Sequence, residues 1–119
     1  MEEVEGWWKL AKDDFKGAKI NFDNKQYSIC IFLCQQSVEK GLKALQIKKF
    51  GEVRKIHDLV ELGISVDAPV DLMDKFKELT SAYVYTRYPD VTGTKITKNK
   101  AFDFLKINED VIKWLKTNI

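Results

Sequence analysis

The segment from about Lys25 to Phe50 constrains the fold more than any other part of this chain. Tyr27, Ile31, Cys34, Val38, Leu42 and Leu45 recur at three- and four-residue spacing and trace one face of a helix. Ile29, Phe32 and Leu33 make its first half apolar on almost every side. A helix apolar on most sides is buried on most sides, so the rest of the chain is expected to pack around this one. At ~1.5 Å per residue it is on the order of 37 Å long. Gly51 is placed to cap its C-terminus.

The flanking segments also read as helices. From about Val4 to Phe22, Trp7, Ala11, Ala18 and Phe22 form a stripe that Trp8 and Phe15 broaden, with Asp14 inside it. Asp23-Asn24 marks the turn that follows. His57 to Gly63 reads as a short helix ended by the glycine. Asp67 is suited to cap a helix starting at Ala68-Pro69, which carries Val70, Met73, Phe76, Leu79, Ala82 and Tyr83. Pro89 should stop that helix and push Tyr88 toward extended backbone. Residues 90–99 are a polar loop. From about Lys98 to Thr117, Ala101, Phe104, Leu105, Val111, Ile112 and Leu115 form a last stripe, flanked by Trp114. With two prolines and six glycines, punctuation is sparse. No segment alternates as a strand would. The expected fold is all-α: an antiparallel bundle of four long helices and one short helix, in one domain over residues 1–119.

Composition excludes several classes. Hydrophobic residues make up 45% of 119, enough for a core without metals or disulfides. The net charge of +2 lacks the positive excess of a dedicated DNA-binding domain. The acidic start, Met1-Glu2-Glu3-Val4-Glu5, is unlike a signal peptide. No apolar run approaches the roughly 18 residues of a membrane span. A cytoplasmic protein is expected. Cys30 and Cys34, one helical turn apart, are read as reduced fillers. With one histidine they fall short of a zinc site, and no metal or cofactor is expected.

Four stretches then stand in a telling order: Trp8-Lys9-Leu10-Ala11-Lys12-Asp13-Asp14; Cys34-Gln35-Gln36-Ser37-Val38-Glu39-Lys40-Gly41-Leu42-Lys43-Ala44-Leu45; His57-Asp58-Leu59; and Arg87-Tyr88-Pro89-Asp90. Together they resemble the HEPN family (higher eukaryotes and prokaryotes nucleotide-binding). The resemblance implies a five-helix up-and-down bundle, often a homodimer. It also implies a minimal nucleotidyltransferase partner encoded by a neighbouring gene, in toxin–antitoxin-like pairs. Some branches are metal-independent ribonucleases with an arginine followed, after four to six residues, by a histidine. That motif is absent here. Arg54 has two residues between it and His57, and no histidine follows Arg87. No catalytic residue is assigned on the resemblance.

Each candidate residue carries two readings. Asp14, on an apolar stripe, needs a basic partner, either in a structural ion pair or in a pocket with Lys40 or Arg87. Gln36, Lys40 and Lys43 share a face that is either solvated or a cationic site for phosphate. His57 and Asp58 begin the short helix, where Asp58 caps it and His57 bonds a loop carbonyl or moves a proton. Arg87, Tyr88 and Asp90 surround the proline. They clamp phosphate and stack on a base, or dock the loop through an arginine–carboxylate bridge. Lys95, Lys98, Lys100 and Lys106 read as a solvated basic stretch. Trp7, Trp8 and Trp114 read as core or dimer-interface anchors.

The expected function is therefore a nucleotide- or phosphate-binding or auxiliary HEPN subunit, with nucleotide or RNA as ligand. A ribonuclease toxin and a non-catalytic dimerisation module are the alternatives. No glycine-rich phosphate loop supports nucleotide binding independently of the resemblance.

Overall fold

A computed structural model of the chain describes residues 2–52, 55–87 and 96–119, the side chains of 83–87 excepted. Five helices follow one another: α1 (Glu2–Asp23), α2 (Tyr27–Phe50), α3 (Leu59–Ser65), α4 (Val70–Arg87) and α5 (Lys98–Asn118). No strand occurs among the described residues.

Helix α2 packs against all four of the others. From Cys30 to Ile47 only Phe32, Leu33, Gln36 and Lys40 escape full burial. Its apolar side chains anchor a core shared with Leu59 and Leu62 of α3, Phe76 and Leu79 of α4, and Phe104, Val111 and Leu115 of α5. Near the start of α1, Val4 and Trp7 pack with Ala44 and Ile47. A glycine lets α5 approach closely, because a Cβ at Gly41 would collide with the Leu115 side chain.

The ends of the helices follow local chemistry. Glu2, Glu3 and Glu5 sit in the first turn of α1, where negative charge suits the helix dipole. After α1, Lys25 takes the left-handed conformation (φ 61°). Its N–H and that of Gln26 bond back to the carbonyls of Phe22 and Asn21, which closes a Schellman turn. Gly51 caps α2 with φ 78° and donates to the Ile47 carbonyl at 2.7 Å.

The junction of α3 and α4 departs from the sequence reading. Helix α3 continues through Gly63 to Ser65. The glycine is there for space, because a Cβ on it would lie 2.7 Å from two ring carbons of Phe76. The stop falls to Asp67, in the left-handed region at φ 55°. Asp67 and Ala68 donate back to the carbonyls of Ile64 and Gly63. Asp67 thus ends α3 and does not begin α4.

Candidate functional site

The polar residues of α2 define the site. Because α2 is enclosed, a polar side chain on it must find partners within the protein. Ser37 Oγ donates to the Ala11 carbonyl (2.7 Å) and accepts from Asn108 Nδ2 (2.9 Å), joining α1, α2 and α5. Asp14 Oδ2 accepts from Lys40 Nζ at 2.6 Å, so Lys40 supplies the basic partner that a carboxylate on an apolar stripe needs. This pair is mostly shielded, with side-chain exposures of 18% and 24%.

A second network centres on Glu39, whose side chain is 8% exposed. Gln36 Nε2 donates to Gln35 Oε1 (2.8 Å), and Gln35 Nε2 donates to Glu39 Oε1 (3.3 Å). The other carboxylate oxygen, Oε2, lies 3.2 Å from Lys43 Nζ and 3.2 Å from His57 Nδ1. The Lys43 ammonium also sits over the Trp7 ring, 5.5 Å from its centroid. Residues 35, 39 and 43 come together because four-residue spacing stacks side chains on one helical face. His57 joins from the non-helical segment before α3, and its ring remains largely open to solvent.

The arrangement has chemical consequences. Glu39 and Lys43 are opposite charges held out of water, each the other's compensation. A carboxylate that accepts from both Lys43 and His57 fixes the imidazole by its Nδ1 edge and leaves the far edge outward. Asp58 takes a separate structural role. Its Oδ1 accepts from the N–H groups of Val60 (2.9 Å) and Glu61 (3.4 Å), capping α3.

The structure thus brings Gln36, Lys43 and His57 onto one carboxylate and places Lys40 on Asp14. His57 bonds that carboxylate and not a loop carbonyl. Lys43 is buried, so it does not belong to a solvated face. Arg87 ends α4, but its side chain, Tyr88 and Asp90 lie outside the described residues. Glu39 itself was missed as an organising group. The available signal was its place next to Val38 in a helix that is apolar nearly all round. Cys30 and Cys34 are both free and buried. The Cys34 thiol is pushed up by its hydrogen bond with Cys30 and by burial, while the Cys30 thiol is lowered by the same hydrogen bond. Among the described residues no cluster of three or more histidine, cysteine or acidic side chains could hold a metal ion. No described helix is long and apolar enough to cross a membrane.

An all-helical fold built around one enclosed polar helix defines the class, and comparison with known proteins supplies its family. The HEPN domain matches residues 4–118, and the chain belongs to that family. Among solved structures, TT1696 from Thermus thermophilus is similar with a TM-score of 0.91 at 25% identity, covering 100% of both chains. ST0689, an archaeal HEPN homologue, is similar with a TM-score of 0.81 at 27% identity, covering 98% of both chains. No curated protein matches the chain.

Proposed function

We propose that this protein is a cytoplasmic, non-catalytic HEPN subunit, one domain over residues 1–119. It binds a nucleotide or its phosphates and works as a homodimer with a separately encoded minimal nucleotidyltransferase, as one half of a toxin–antitoxin-like pair. The observation that carries the reading is membership of the HEPN family over residues 4–118. The physical support is the partly open edge of α2. There Gln36 and Lys40 are held by internal partners with their side chains partly exposed, close to a histidine fixed on Glu39. In this reading Lys40 and Arg87 meet phosphate, Tyr88 stacks on the base, and Asp90 orients the arginine turn. Lys43 contributes indirectly, by holding Glu39 in place.

Isothermal titration with ATP, GTP and a short RNA tests this. Heat of binding with at least one of them, reduced in Arg87→Ala, is expected. No heat with any of the three would remove nucleotide binding from the account.

One feature supports a docking role beside ligand binding. Leu10 and Ile20 of α1 are 46% and 51% exposed, and Leu10 lines a shallow depression of about 410 Å³ with Gly6 and Trp7. Such a surface fits the homodimer in the same proposal. Sedimentation that gives a monomer at micromolar concentration would remove that part.

A further inference from the structure

Beyond ligand binding, the geometry points to His57 as a nucleophile: we propose that its Nε2 accepts a phosphoryl group from a small activated phosphate, of the phosphoramidate or acyl phosphate class. The inference starts from the Glu39 carboxylate. It is buried and receives Lys43 Nζ and His57 Nδ1 on one oxygen, each at 3.2 Å, with Gln35 Nε2 on the other. A carboxylate only accepts, so Nδ1 carries the hydrogen in that contact. In the neutral ring the lone pair then belongs to Nε2. The side chain of His57 is 65% exposed while its partner is 8% exposed, so the fixed edge is inside and the reactive edge is outside.

This is the arrangement a nucleophilic imidazole needs: a third group holds the ring, selects the tautomer and offsets the charge that develops on it. His57 is the chain's one histidine, so no other imidazole competes. The surroundings suit an anionic donor. Lys43 lies against the same carboxylate oxygen, and Lys55 is exposed two residues earlier in the same non-helical segment. The neighbouring Asp58 carboxylate is occupied by two backbone N–H groups.

With phosphoramidate as donor the step balances. The Nε2 lone pair forms the new N–P bond as the P–N bond of the donor breaks, and ammonia departs with that electron pair. Nδ1 keeps its proton. The positive charge left on the ring faces Glu39. No oxidant, reductant or metal is required, and no nucleotide need bind.

The experiment is phosphorylation of the full chain by potassium phosphoramidate, followed by intact mass and by phosphorus NMR. The expected result is one acid-labile phosphoryl group on Nε2, absent from His57→Asn. Its formation should be at least tenfold faster in the folded chain than in the same chain unfolded in urea. Glu39→Gln should slow it by a similar factor, well short of the ~10⁴-fold that a wrong tautomer costs a full catalytic triad. Equal rates for folded and unfolded wild type would overturn the proposal, and that comparison holds even if Glu39→Gln fails to fold. Reaction at Nδ1 would overturn it too. Nucleotide titration can succeed or fail independently of either result.

Discussion

Replacing Glu39 by glutamine is the sharpest perturbation of the polar centre. The change keeps the shape of the side chain and removes its charge. Lys43 Nζ, 3.2 Å away with 8% of its side chain exposed, then loses its counter-charge. At an effective dielectric of about 20, two unit charges at that distance attract by about 5 kcal/mol. Removing one partner of a buried pair costs roughly 3–5 kcal/mol. The reverse change, Lys43→Met, should cost less, about 2–3 kcal/mol, because Glu39 keeps its contacts with Gln35 and His57. The double variant should recover much of the loss, leaving a coupling of at least about 2 kcal/mol. Urea unfolding followed by tryptophan fluorescence reads all three. With a slope of about 2 kcal/mol per M, Glu39→Gln should lower the midpoint by about 1.5–2.5 M. If the two single costs simply add in the double variant, the pair is solvated and the reasoning from burial is wrong.

Three further outcomes are expected. Gly63→Ala should destabilise by about 1–3 kcal/mol in the same assay, despite alanine's better helix propensity, because its Cβ meets the buried Phe76 ring. A gain in stability would show that the ring moves aside freely. Lys25→Gly should stabilise by about 1 kcal/mol, since an exposed lysine now occupies a left-handed position that glycine adopts without strain. Finally, Cys34 keeps its proton in the folded state to higher pH than in the unfolded chain. The unfolded state therefore releases protons there that the folded state retains. Stability should fall as pH rises past the ordinary thiol value of 9.0, at up to about 1.4 kcal/mol per pH unit. Cys34→Ala should lose that part of the slope, which chemical denaturation between pH 8 and 10 would show.

The helices were legible because apolar spacing dominates them. The enclosed character of α2 could be read from Ile31, Phe32 and Leu33 beside Cys34 and Val38, although Ile29 remains 46% exposed. Punctuation was harder. Glycine serves both as a helix stop and as a gap for a neighbour, and only the position of Phe76 shows that Gly63 is the second kind. Asp67 was read as a cap because aspartate commonly starts helices, yet aspartate also tolerates the left-handed backbone found here. The polar centre was legible in part. Asp14 announced its need for a base, and the Glu39–Lys43 spacing announced a pair. That this pair is buried follows from the enclosure of α2 rather than from the pair itself. The contact of His57 with Glu39 spans 18 residues. It depends on how the chain returns after Gly51, which no local spacing encodes.

The central claim is that a buried carboxylate on α2 fixes His57 by one edge and presents the other. A long-range proton–nitrogen spectrum of the His57 ring in the wild-type protein, recorded where the imidazole is neutral, tests it without any substitution. The account predicts a protonated, pyrrole-type Nδ1 and an unprotonated, pyridine-type Nε2. The opposite tautomer, or the averaged pair of a free imidazole, would contradict it.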